Sequence, residues 1–303
     1  MMKKISMIAL ASLMLTSQSV AQDSSEATLF EAPDSAWRVV DLENLMLIDT
    51  DYGRIGVELY PEISPKHVEQ IKTLTRAAFY DGIVFHRVIN GFMNQTGDPT
   101  GTGTGDSGLP NIPAEFSFQR DPTKIPVEVI HERLVNPHSS PRRRLGAGFY
   151  KNLPIATEPA AQAFWKKSGT VDSIGLHCKG VTSMARAGSP DSGNSQFFLM
   201  RSPRGSSSEG LNGQYSIWGR AVMGIDIVDK IRVGVNGETA GFTPDKMNKA
   251  RIAADLDGSE VPQIKVLKTQ GADYKRFLAT QKKLDGTYKD ICDIEIPIQI
   301  KTP

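Results

Sequence analysis

Cysteine is nearly absent from this chain of 303 residues, which carries only Cys178 and Cys292. Two thiols exclude a disulfide-dense scaffold and a cysteine-rich zinc module. They leave two readings open: one bridge in an exported protein, stabilising by roughly 4–5 kcal/mol in the chain-entropy picture, or a pair of free thiols. An excess of charge of one sign is also missing. Thirty-five Lys and Arg face 34 Asp and Glu, a formal balance of +1. Such a balance gives no global attraction to nucleic acid or to an anionic membrane. Long apolar runs are lacking too. Ile5–Leu15 is too short to span a bilayer comfortably, and no later run is long enough, so the mature chain is expected to be soluble and not membrane-inserted. Metal and phosphate motifs are weak. His177 and Cys178 are neighbours without a second ligand pair at metal spacing. Gly101-x-Gly103-x-Gly105 lacks the Lys-Ser/Thr of a phosphate loop. No metal and no cofactor are expected.

What is present begins with a processing signal. Lys3 and Lys4 precede the apolar run, and Ser19-Val20-Ala21 offers a small-x-small cleavage site. That order reads as a signal peptide over 1–21 and places the mature protein in the periplasm, or alternatively secreted or in another secretory lumen. Its removal turns the formal balance of +1 into −1. A polar, acidic stretch over 22–36 is expected to be a flexible leader. The main domain is then expected over 37–242.

Within it, Leu45–Thr50 and Ile55–Tyr60 read as a hairpin across the turn Asp51-Tyr52-Gly53-Arg54. Pro61–Ala78 reads as a helix, with Ser64-Pro65 as cap and first-turn proline and Val68, Ile71 and Leu74 at helical spacing. Val181–Ala185, Gln196–Met200 and Tyr215–Val222 read as short strands, and Ile225–Ile231 as a short helix. Many short strands with two helices predict a closed or nearly closed antiparallel sheet. Two regions look added. Residues 116–169, rich in proline and carrying Arg142-Arg143-Arg144, are expected to be irregular with a helix over 156–167. From Arg120 to Lys167, nine Lys and Arg against four Asp and Glu give a local balance of +5. This is read first as a solvated face and second as a dock for an acidic partner. Residues 243–303 are expected to be a small C-terminal extension with a helix over 274–284 and an edge strand over 294–300.

Two segments carry the chemistry. One is Phe85-His86-Arg87-Val88-Ile89, continuing through Gly91-Phe92-Met93, Gln95 and Gly97-Asp98. The other is Ser183-Met184-Ala185-Arg186-Ala187-Gly188, followed by Ser195-Gln196-Phe197-Phe198. Each joins large apolar side chains to one strong hydrogen-bonding group, the composition of a small apolar binding site. In strand alternation His86 and Arg87 point to opposite faces, so Arg87 is the candidate and His86 reads as structural. Gly105-Asp106-Ser107-Gly108 looks like the nucleophile string of chymotrypsin-like proteases, but His177 then follows the serine instead of preceding it. That likeness is taken as coincidental.

Together the two segments resemble the signatures of the cyclophilin family of peptidyl-prolyl isomerases, over about Leu45 to Ile231. The exported context and added regions are similar to a Gram-negative variety. The resemblance implies a mainly β fold, an eight-stranded antiparallel β-barrel capped by two helices. Arg87 takes the catalytic position with Gln95. Phe92, Met93, Phe198 and Leu211 take the proline pocket, and Ala185, Arg186, Gln196 and Tyr215 the remaining substrate-binding positions. The implied partners are proline-containing unfolded or newly exported polypeptides. The implied chemistry needs no nucleophile, metal or cofactor. The sequence departs from the family at Thr96, Asp106, Arg186, Gly210 and Tyr215. Gly210 stands where many members have a tryptophan that helps bind cyclosporin, so weak inhibition is expected. Thr96, Asp106 and the large basic insertion also keep a second reading open: a peptide-binding or holdase chaperone with little turnover.

Overall fold

The computed structural model describes residues 30–135, 138, 141–201, 206–235, 237, 239 and 241–303. The expected signal peptide, and residues 22–29 of the leader, lie outside the described residues. The first elements described are a short turn at Asp34–Ala36 and strand β1 (Trp37–Val39).

The largest sheet joins β2 (Leu45–Thr50), β3 (Gly53–Leu59), β4 (Arg87–Ile89), β5 (Met93–Thr96), β11 (Val181–Met184), β12 (Phe197–Met200), β13 (Ile217–Met223) and β14 (Lys249–Ile252). They run antiparallel in the order β14-β2-β3-β13-β11-β12-β5-β4. The two free edges meet. Just before β4 and β14, Gly82 and Phe85 donate to Met247 and Asp245, and Met247 donates back to Ile83. The sheet thus curls on itself as an eight-stranded antiparallel barrel. The predicted hairpin is β2–β3, paired from Leu45↔Glu58 to Thr50↔Gly53.

Two helices close the barrel core. Helix α1 (Pro65–Arg76) buries Val68, Ile71 and Leu74, and helix α3 (Ile225–Lys230) buries Ile227 and Val228, in one cluster with Val57, Phe197, Leu199 and Trp218. Ser64 stands at the expected cap position of α1, but its hydroxyl donates to the Ile217 carbonyl instead. The helix start is capped from elsewhere: the Glu115 carboxylate accepts from the backbone N–H groups of Lys66 and His67. A negative group at a helix N-terminus satisfies otherwise orphaned donors and suits the helix dipole.

The insertion is a sheet. β6 (Phe118–Arg120), β7 (His131–Val135), β8 (Arg143–Tyr150), β9 (Leu153–Thr157) and β10 (Val171–Gly175) lie antiparallel in the order β6-β10-β9-β8-β7. The helix expected over 156–167 is not there. Ala156 and Thr157 finish β9, and only Ala160–Phe164 turns, as a 3-10 segment. Pro159 explains the change, because the residue before a proline is driven to extended backbone and a helix cannot run through it.

A third sheet joins β1, β15 (Gln263–Leu267) and β16 (Ile298–Lys301), with β16 at the edge directly after Pro297. Helices α2 (Ser206–Glu209) and α4 (Gly271–Thr280) complete the elements. Within the region read as an extension, Lys249–Ile252 is β14 of the barrel, burying Ala250 and Ile252. Cys178 and Cys292 form a disulfide with a Cα–Cα distance of 5.0 Å, tying the end of the chain to the barrel. Of the two readings of the cysteines, the bridge is the one found.

Polar contacts tie the additions to the barrel and to one another. Arg38 of β1 makes a paired contact with the Glu58 carboxylate of β3 at 2.6 and 2.7 Å. The Tyr60 hydroxyl and the Arg220 guanidinium both donate to Asn152, in the turn between β8 and β9. Arg133 of β7 reaches Asp290 and Glu209.

Candidate active site

Strand alternation sorts the side chains of β4, β5 and β12 onto two faces. Val88, Phe197 and Leu199 enter the barrel core. Arg87, Met93, Gln95 and Phe198 therefore share the outer face. Register aligns three of them: Arg87 lies opposite Gln95, and Gln95 opposite Phe198. Arg87 and Gln95 are half-buried, while Met93 and Phe198 are nearly covered, at 2 and 5% exposure. A guanidinium and an amide thus stand beside an apolar surface.

These polar groups form a relay. An Arg87 Nη donates to Gln95 Oε1 at 3.2 Å, Gln95 Nε2 donates to Gln196 Oε1 at 3.0 Å, and Gln196 Nε2 donates to the carbonyls of Gly103 and Gly105 at 3.0 and 2.9 Å. Each amide is oriented at both ends. The relay ends on a glycine loop held by Asp98, whose buried carboxylate accepts from the N–H groups of Thr100, Thr102 and Gly103 and the Thr100 hydroxyl. Burial alone would raise the Asp98 pKa, but these hydrogen bonds stabilise the anion more and bring it down to about 2. Gly105 has no room for a side chain: a Cβ there would lie 2.1 Å from Asp98 Oδ1. Among the described residues Arg87 has this one hydrogen bond and no ion pair. Its remaining donors are available to a ligand.

The apolar side is an aromatic stack. The Phe198 ring meets Tyr215 edge-on at 5.7 Å and lies nearly parallel to His177 at 6.0 Å. His177 is fully buried between Asn212 and Ser183, and desolvation brings its pKa down to about 4, so it is neutral at pH 7. Arg186 lies over the rings of Tyr215 and Phe116, at 4.6 and 5.5 Å, and Phe116 meets His138 edge-on at 5.2 Å. The insertion therefore reaches this end of the surface.

The structure brings Arg87, Gln95 and Gln196 into one relay, and Phe198, Tyr215 and Arg186 into one stack. Met93 lies on the same face, two residues before Gln95. Ala185 joins through its N–H, which donates to the Gln196 carbonyl at 2.9 Å. Phe92, in the β4–β5 turn, and Leu211, four residues before Tyr215, are half-buried. Two departures from the family pattern leave the relay untouched. Thr96 is buried and donates to the Val84 carbonyl, and Asp106 is exposed and accepts from Gly108 N–H. Ser107 donates to Asn194, away from the partners of His177. Phe116, His138, Asp98 and His177 were not singled out as site residues from sequence. Asp98 alone had a usable signal, since it ends the first signature and precedes a Gly/Thr loop.

The family model described as "Cyclophilin type peptidyl-prolyl cis-trans isomerase/CLD" matches residues 45–252. A protein of Brucella suis named "Probable peptidyl-prolyl cis-trans isomerase" is 34% identical over 227 residues, covering 71% of this chain and 85% of that protein. A protein of Brucella abortus with the same name gives the same identity and coverage. Among solved structures, the cyclophilin AquaCyp293 from Hirschia baltica superposes with a TM-score of 0.75 at 34% identity, covering 88% of this chain and 94% of that one.

Proposed function

The chain belongs to the cyclophilin-type peptidyl-prolyl cis-trans isomerases, and from that premise we propose how its groove turns a prolyl bond and where it does so. An amide resists rotation by about 18–20 kcal/mol because the nitrogen lone pair is shared with the carbonyl. X-Pro bonds populate both isomers yet exchange only over roughly tens to hundreds of seconds. No bond to another atom has to form, so catalysis reduces to favouring the twisted amide over either planar one. In the twisted state the prolyl nitrogen becomes pyramidal and accepts a hydrogen bond. Arg87 supplies that donor, and the apolar surface of Phe92, Met93, Phe198 and Leu211 holds the ring. Gln95 uses one amide N–H on Gln196 and keeps the second for the carbonyl side of the substrate.

The observation that carries this reading is the relay. It aims Arg87 without neutralising it, through neutral amides anchored on a loop that Asp98 holds. A donor fixed in advance costs no reorganisation when the transition state forms. The holdase alternative rests on Thr96, Asp106 and the insertion. The first two make no contact with Arg87, which favours turnover over passive binding. The physiological reading is assistance to newly exported polypeptides in the periplasm. Its supports are the charged start, apolar run and cleavage site over 1–21 and the Cys178–Cys292 bridge, which suits an oxidising compartment.

Turnover of an X-Pro peptide, followed by protease coupling, tests the mechanism. Arg87→Ala is expected to lower kcat/KM by about 10²–10³, the scale of losing one preorganised donor. Equal rates would remove Arg87 from the chemistry. Spheroplast fractionation tests the location: a mature protein starting near Gln22 in the periplasmic fraction is expected, and an unprocessed cytoplasmic protein would contradict it.

A further inference from the structure

One end of the insertion sheet carries an arrangement that isomerisation does not use. β6 ends where β10 begins, with Arg120 opposite Val171, and β9 ends beside β10 and the start of β8. The loop after β6, the start of β8 and the β9–β10 connection therefore gather at one end. At its tip, the Ala160–Phe164 turn presents Phe164 at 90% and Trp165 at 88% exposure. The same end collects Lys124, Arg142, Arg143, Arg144, Lys166 and Lys167. Part of that charge is neutralised locally: Glu158 and Asp172 take Arg143 and Lys166. Asp121 and Glu132 lie 3.7 Å from Lys124 and Arg144. Arg142 and Lys167 are exposed and have no acidic partner among the described residues.

We propose that this end of the insertion is a peripheral membrane anchor, seating Phe164 and Trp165 in the interface of an anionic lipid bilayer with Arg142 and Lys167 against the headgroups. Adjacent fully exposed aromatics are costly in water unless something covers them. A protein partner fits poorly, because stable interfaces bury about 800 Å² on each partner, whereas two aromatic side chains at a turn offer about 300–500 Å². A bilayer interface accepts a small wedge of this kind. Aromatic rings with a polar edge settle at headgroup level, and neighbouring cations add attraction to anionic lipid. The attraction is local and so compatible with a chain whose overall charge is near zero. No helix among the described residues is long and apolar enough to cross a membrane, so the contact is peripheral.

The protein contains its own reporter. Of its three tryptophans, Trp37 and Trp218 are 6 and 0% exposed, which leaves Trp165 as the solvent-sensitive one. The test titrates the whole protein with vesicles of phosphatidylcholine, alone and mixed with phosphatidylglycerol. The expected result is a blue shift of tryptophan emission, quenching by brominated lipid and cosedimentation with the mixed vesicles, weakening as salt rises. Phe164→Ser with Trp165→Ser should abolish cosedimentation, and Arg142→Ser and Lys167→Ser should each weaken it about fivefold. All these variants should keep wild-type turnover of a soluble peptide. Unchanged emission with the mixed vesicles would overturn the proposal, as would cosedimentation indifferent to the aromatic pair. A blue shift that grows with protein concentration without lipid would also overturn it, by making a second copy the occupant.

Discussion

Two sets of arginines in this molecule are treated in opposite ways. At the junction with the barrel, within the insertion and inside the barrel, guanidinium groups are paired with a carboxylate or given several acceptors. Arg38 takes both oxygens of Glu58. Arg201 donates to Asn94 and to the carbonyls of Val228, Asp229 and Ile231. Buried Arg120 is held by the Thr157 hydroxyl and the Ile125 carbonyl. In the groove, Arg87 receives one neutral acceptor, Gln95, that aims it and leaves its charge uncompensated. An arginine paired with a carboxylate or surrounded by acceptors acts as a brace. An arginine aimed but not saturated is ready to donate to something arriving from outside. The contrast assigns stability to the first set and catalysis to the second, and it can be broken from either side.

The largest effect is expected at the brace. Glu58→Ala removes the buried carboxylate facing Arg38 and leaves that largely covered positive charge without its partner, a change that costs about 3–5 kcal/mol when a buried pair is broken. Urea unfolding should show that loss while the folded variant keeps its kcat/KM. A collapse of turnover in folded protein would blur the division. Next comes the covalent tie. Cys178→Ser with Cys292→Ser should lower stability by about 2–4 kcal/mol, again sparing turnover. Unchanged unfolding would show that the end of the chain is held without the bridge.

Acid sharpens the contrast, because the groove rests on two groups with displaced titration. His177 is held neutral by burial, at about 4 against an ordinary 6.5. The folded state resists its protonation, so this contribution is complete above pH 6.5 and declines as the pH falls toward 4. Asp98 is held ionised, at about 2 against an ordinary 3.8. Its contribution is complete above pH 3.8 and declines toward pH 2. Unfolding free energy measured against pH should therefore fall in two successive windows, and His177→Gln should flatten the upper one. A wild-type profile level from pH 7 to 4 would contradict the burial argument. The smallest effect is expected at the surface. Arg144→Ala breaks an exposed pair with Glu132 and should change stability by less than about 1 kcal/mol.

What the sequence made readable follows the same division. The groove lies on two continuous segments: alternation separated Arg87 from His86, and the likeness of both segments to the family's signatures put Arg87, Gln95, Gln196 and Phe198 in one site. The barrel's hairpin and both capping helices were readable from local periodicity and turn residues. The insertion was not. In β8 the inward residues Leu145, Ala147 and Phe149 do alternate, but Arg144, Gly146 and Gly148 fill the other positions and weaken any strand propensity. Gly148 is required by a long-range approach: a Cβ there would lie 2.4 Å from the Glu128 carbonyl. β14 was hidden by brevity, since four residues with two cations carry almost no periodic signal. The aromatic stack on Arg186 brings Phe116 and His138 together from separate loops, which no spacing announces.

The most direct measurement pairs activity with stability in one variant. Arg87→Ala should lose about 10²–10³ in kcat/KM on an X-Pro peptide, while its urea midpoint stays at the wild-type value. Undiminished turnover, or a loss explained by unfolding, would contradict the assignment of Arg87 as the open, catalytic arginine.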